Sequence, residues 1–107
     1  MKRKELAAIL SAVAPTTYNE WAGKASVPKP PFIAYLDDGR HTISGDSKAH
    51  IKIPIYRVEL YTVKGDDDTE ELLENALDEN DIYYEMVSRE WLKDEKWYMT
   101  VYELYKT

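Results

Sequence analysis

The segment Lys96–Tyr105, KWYMTVYELY, is apolar on both of the faces that a β-strand presents. Side chains alternate along a strand. Trp97, Met99 and Val101 therefore share one face, and Tyr98, Thr100, Tyr102 and Leu104 share the other. Such a strand has to be covered twice, so it lies inside a sheet or meets a neighbouring subunit. The rest of the chain must supply its neighbours.

The strongest of these is His50–Val63. Ile51, Ile53 and Ile55 follow period two, and from Tyr56 the phase changes to Tyr56, Val58 and Leu60. A change of phase predicts a bulge near Pro54, or a strand covered on different faces along its length, and a proline there places that end of the strand at an edge. Phe32–Leu36 reads as a further strand, with Asp37-Asp38-Gly39 as its turn, and Arg40–Lys48 as a weaker strand or extended loop. Ile82–Val87 reads as a strand followed by a charged link that contains Trp91.

Two helices are expected. Leu6, Ile9, Leu10 and Val13 fall on one helical face, predicting a helix over about Lys2–Val13 that Pro15 ends. Basic residues followed by a short apolar run also imitate a secretion signal, but Glu5 interrupts the run and the helical spacing favours an ordinary amphipathic helix. In the second helix Asp68 and Glu71 are spaced as a capping box, and Leu72, Leu73, Ala76 and Leu77 form the buried stripe up to about Asn80. The order is α-β-β-β-α-β-β. It predicts one α+β domain over residues 1–107, a mostly antiparallel sheet of four to five strands with two helices packed on it.

Residues 14–31 have no periodicity and hold Pro15, Pro28, Pro30 and Pro31, with Tyr18 and Trp21 as the large apolar groups. A connection of this length in a compact domain is either pinned to the surface or an extended arm that orders against a partner.

Candidate chemistry is thin. The chain has no cysteine, which excludes disulfides, thiolate metal sites and cysteine nucleophiles. His41 and His50 stand near Asp37, Asp38 and Asp46 without the spacing of a metal-ligand motif, and GDDDTEE lacks the ligand alternation of a calcium loop. No serine sits on a strained turn beside a histidine, and no glycine-rich loop is present. We therefore expect no catalytic residues, no metal and no cofactor. The net charge of −6 argues against gripping a phosphate backbone. No apolar run is long enough to span a bilayer.

The unusual feature is aromatic: nine tyrosines and three tryptophans against one phenylalanine. Rings with polar tips are enriched at interfaces, and a core this small does not absorb them all.

Four stretches, PPFIAYLDDG, IPIYRVELYT, TEELLENALDENDIYYE and REWLKDEKWYMTVYELY, resemble small proteins encoded among the head-to-tail joining genes of long-tailed phages and prophages of Gram-positive bacteria. Within that set the chain is most similar to the tail-completion, or tail-terminator, proteins, over about Tyr18–Tyr105. The resemblance implies a structural virion protein, assembled in the host cytoplasm. It would form a ring, probably hexameric, on the head-proximal end of the tail tube, stop tube polymerisation and dock to the head connector. The implied partners are further copies of itself, the major tail-tube protein and the connector protein, with DNA only passing through the lumen and no membrane. Family position and the expectation of exposure together nominate Tyr18, Trp21, Pro28, Pro30, Pro31, Arg40, Tyr61, Tyr83, Trp97 and Tyr105 as interface residues. The alternatives are a head-side stopper or adaptor of the connector, and a monomeric acidic binding or inhibitor module.

Overall fold

The computed structural model describes residues 2–19, 27–44 and 50–105, and for 40–44 and 50–53 the backbone alone. Its elements run α1 (Arg3–Ser11), β1 (Thr16–Tyr18), β2 (Phe32–Ser44), β3 (His50–Val63), α2 (Asp68–Glu79), β4 (Tyr83–Leu92) and β5 (Trp97–Tyr105). The five strands form one mixed sheet in the order β1-β2-β3-β5-β4. Only the β1–β2 pair is parallel. The class is α+β and the element order is the expected one, but the residues partition differently.

Thr16–Tyr18, inside the segment expected to be an arm or loop, is a strand. It pairs with Ile33–Tyr35 of β2, and the Asn19 N–H closes it with a 2.7 Å bond to the Tyr35 carbonyl. Asn19 has φ 68°, a left-handed conformation that asparagine tolerates. Three residues are too few for period-two alternation to register in a sequence.

Asp37-Asp38-Gly39 does not reverse the chain. Strand β2 runs straight through it, pairing Asp37 with Tyr56 and then Arg40 with Pro54, so β2 carries one residue more than β3. Gly39 has φ +93° and donates its N–H to Asp37 Oδ1 at 3.0 Å. These are the marks of a bulge closed by a short Asx-type bond. The bulge expected within the His50–Val63 strand lies instead in the opposing strand β2, and β3 keeps its register from Ile55 to Val63. Among the described residues the register of β5 against β3 ends at Ile55↔Tyr105, and Pro54 pairs with β2.

Strand β4 extends to Leu92 and includes Trp91, which was expected in a link. A register shift between Met86 and Ser88 breaks its alternation, and this hides its second half in the sequence. Strand β5 lies between β3 and β4, the internal position that its two apolar faces demand.

Both helices pack on one face of the sheet. The core there joins Leu6 and Leu10 of α1, Leu73 and Leu77 of α2, and Ile33, Tyr35, Val58, Leu60, Tyr102 and Leu104 of the sheet. In α2 the buried stripe is Thr69, Leu73 and Leu77, at spacing four, and Leu72 is 55% exposed. The helix is capped two residues earlier than expected. Asp66 Oδ1 accepts from the Thr69 N–H at 3.1 Å, and Asp66 Oδ2 accepts from the Thr69 hydroxyl at 2.7 Å. With Asp66 holding the Thr69 N–H and hydroxyl in the first turn, Thr69 turns inward and the stripe rotates away from Leu72.

One buried polar atom in this core stands out. The Thr100 hydroxyl, on β5 between Leu60 and Arg89, has no hydrogen-bond partner among the described residues. Replacing a buried, unsatisfied hydroxyl with a methyl of similar shape removes its desolvation penalty. Thr100→Val is expected to raise stability by about 1 kcal/mol, read as a higher urea midpoint at unchanged slope. A fall in the midpoint would mean that the hydroxyl is satisfied.

Candidate functional site: the open face of the sheet

The second face of the sheet carries no helix among the described residues. Register and alternation place on it Phe32 and Ala34 of β2, Arg57, Glu59, Tyr61 and Val63 of β3, Trp97, Met99, Val101, Glu103 and Tyr105 of β5, and Tyr83 and Glu85 of β4. Tyr61, Trp97, Tyr83 and Tyr105, which family position nominated, therefore share one surface.

The rings organise it into two patches. At one end Tyr61 stacks on Phe32 with centroids 4.6 Å apart, and Trp97 meets the same ring edge-on at 5.5 Å. Phe32 is only 3% exposed under this cover. Beside it opens a concavity of about 510 Å³ lined by Asn19, Val27, Leu36, Glu59, Leu92 and Glu95 together with the aromatic trio. At the other end Tyr83 and Tyr105 lie 5.5 Å apart across β4 and β5, with Tyr83 60% exposed.

Between the patches runs a row of carboxylates, each tied to a tyrosine two residues along its own strand. Tyr61 donates to Glu59 at 3.0 Å, Tyr105 to Glu103 at 2.9 Å and Tyr83 to Glu85 at 2.9 Å. The Arg57 Nε donates to Glu59 at 2.9 Å. Residues two apart on a strand point the same way, so these bonds lay the phenols along the sheet. Burial, reinforced by the Glu59 charge and hydrogen bond, pushes the Tyr61 hydroxyl far above its ordinary range. The hydrogen bond to Glu103, with burial and its charge, pushes Tyr105 up to about 12. The bond to Glu85 raises Tyr83 likewise. All three phenols remain neutral donors near neutral pH. The face is thus a surface of rings and carboxylates held by hydrogen bonds along the strands, with a concavity beside Phe32.

The other nominated residues lie elsewhere. Tyr18 is on the helix side, edge-on to Tyr35 at 5.2 Å, with the Arg3 guanidinium 4.2 Å from its ring centre. Pro28, Pro30 and Pro31 are half-buried on the approach to β2, and the Pro30–Pro31 peptide is cis. The backbone of Arg40 sits in β2 opposite Pro54, its side chain outside the described residues, and Trp21 lies outside them altogether. The side chains of His41 and His50 also fall outside. Among the described residues no group of three His, Asp or Glu side chains could hold a metal ion, and no helix is long and apolar enough to cross a membrane. The interface nominations left out Phe32, and also Met99, although alternation already put Met99 on one strand face with Trp97. They also missed the tyrosine–carboxylate pairs, although Glu59-x-Tyr61, Tyr83-x-Glu85 and Glu103-x-Tyr105 repeat one spacing in three strands. Compared with protein-family models and with curated proteins, the chain gives no match.

Proposed function

We propose that this protein is a tail-terminator, or tail-completion, subunit of a long-tailed phage or prophage. Copies form a ring on the head-proximal end of the tail tube, stop its growth and offer a surface to the head connector. The role is structural: its residues bind and position, and no covalent step is involved.

The observation that carries this reading most is the sheet face that no helix covers among the described residues, on which Phe32, Ala34 and Val101 are already buried beneath their neighbours. Nine residues of β5 at ~3.3 Å each, across four strands ~4.8 Å apart, give a face of roughly 500–600 Å². That is most of the ~800 Å² that one partner brings to a standard protein interface. A face of this size bearing Phe32, Tyr61, Trp97, Met99, Tyr83 and Tyr105 suits burial against protein. The net charge of −6 suits a ring through which DNA passes without being held.

The test is electron microscopy of particles from a phage carrying an early stop codon in this gene. Filled heads beside unattached tails, some of them overlong, are expected. Normal tails beside heads that have lost their DNA would assign the protein to the connector side, and intact infectious particles would refute a joining role.

A further inference from the structure

Among the described residues the sheet ends in two unpaired strand edges, and their directions match. Strands β2 and β5 run one way, β3 and β4 the other. At one edge β1 pairs with Ile33–Tyr35 of β2. Beyond it, Arg40–Ser44 pairs with His50–Pro54 of β3 and, among the described residues, with no strand on its other side. The register of β3 with β5 ends at Ile55, so these five pairs form a two-stranded ribbon that continues past the sheet. At the opposite edge β4, ten residues long, pairs with β5.

The ribbon gives the molecule its length. Five residues at ~3.3 Å each add roughly 17 Å, and the longest axis is 49 Å against 28 and 25 Å across. The radius of gyration is 15.0 Å, where a compact chain of this length has about 13 Å. A two-stranded ribbon by itself is at best marginally stable in water, and a third strand along it supplies what it lacks. Strand β4 of a second copy offers that strand. A copy placed alongside in the same orientation brings its β2 antiparallel to β4, the more stable of the two ladders. It is also displaced along the strands, because β1 occupies β2 from Ile33 to Tyr35.

Composition favours the same pairing. RHTIS and HIKIP, the two sides of the ribbon, hold Arg40, His41, His50 and Lys52 and no acidic residue. On β4 Arg89 is held by Glu70, which leaves Glu85 and Glu90 as its charges. Opposite charges on neighbouring strands are favourable. Met86, Val87 and Trp91 of β4 are exposed, and Ile43, Ile51 and Ile53 belong to the ribbon. Burial of apolar side chains supplies the affinity, and the backbone ladder sets the direction.

We propose that β4 of one copy pairs with the Arg40–Ser44 edge of the next, so that the sheet continues from copy to copy. The contact joins two different edges, so its repetition generates a ring where the rotation closes and a filament where it does not. It rests on the ring-forming role proposed above and names the neighbour-to-neighbour surface within it. The open sheet face then remains available to the tube or the connector.

The chain has no cysteine, so introduced thiols report on this contact without background. Thr42→Cys on the ribbon and Glu90→Cys on β4 are made separately, mixed in equal amounts and treated with a short bismaleimide cross-linker. A cross-linked pair is expected in the mixture and not with either variant alone. In parallel, Thr42→Pro removes a backbone donor from the ribbon, which lies outside the helix-bearing core. It is expected to melt normally and to associate at least about tenfold more weakly by sedimentation velocity. Cross-linking of Glu90→Cys to itself would mean that β4 meets β4 across a twofold axis, and overturns the pairing with β2. No cross-link in the mixture, at concentrations where the unmodified chain sediments as an oligomer, overturns the edge pairing and leaves ring formation to another surface. An unmodified chain that stays monomeric up to millimolar concentration overturns both the pairing and the ring.

Discussion

Leu73→Ala is expected to lower the stability of the folded chain by about 3–5 kcal/mol, whereas Leu72→Ala changes it by less than about 0.5 kcal/mol. The two leucines are neighbours on α2, but Leu73 is 0% exposed in the core with Tyr102 and Leu104, and Leu72 is 55% exposed. Truncating Leu73 removes its transfer free energy and leaves a cavity that the sheet beneath cannot fill. A domain of this size is stable by roughly 5–15 kcal/mol, so the loss is a large share of the total. It should appear as a fall in melting temperature of roughly 12–30 °C, followed by circular dichroism on dilute protein. Equal destabilisation by the two variants would mean that α2 is rotated about its axis and that Asp66 does not set its start.

That pair also shows where the sequence was legible. The existence of α2 and its length follow from capping and apolar spacing, but Leu72, Leu73, Ala76 and Leu77 fit a helical stripe as well as Thr69, Leu73 and Leu77 do. The choice between them is made by Asp66 and Thr69, two polar residues whose mutual bonds carry no hydrophobic signal. The same holds for Asp37-Asp38-Gly39. Its composition is that of a turn, and only the partner strand, with Pro54 opposite, makes it a bulge. Strands β3 and β5 were readable because both of their faces are constrained. Strand β1 and the end of β4 were not, one being too short to alternate and the other broken in phase by its bulge.

The candidate site was half legible for a related reason. That KWYMTVYELY needs cover on two sides follows from alternation alone. Which face the helices take is settled by the registers Val58↔Tyr102 and Tyr56↔Leu104, a long-range property. Once those are fixed, Tyr61, Trp97, Tyr83 and Tyr105 fall together on the other face. Tyr18 separates from them because its strand directs it towards Tyr35 and Arg3.

On the open face, Trp97→Ala combined with Tyr61→Ala is expected to abolish tail joining while the chain still folds. Both rings rest on Phe32 at the surface, outside the core that holds the helices to the sheet. Their removal therefore costs less stability than Leu73→Ala, and the helical content should be unchanged. Large aromatic side chains at the centre of an interface commonly contribute 2–4 kcal/mol each to binding, a loss of roughly 30- to 1,000-fold in affinity per residue. The measurement pairs a thermal melt of the variant with complementation of the stop-codon phage, counting joined particles by electron microscopy. Tyr83→Ser, at the other patch and 60% exposed, separates two uses of the face. If it too blocks joining, the partner spans the whole face across the Glu59–Glu103–Glu85 row. If joining persists, contact is confined to the Phe32 patch and its concavity. Full complementation by the Trp97 and Tyr61 double variant, with a normal melt, would show that this face meets no partner and remove the main support for the terminator role.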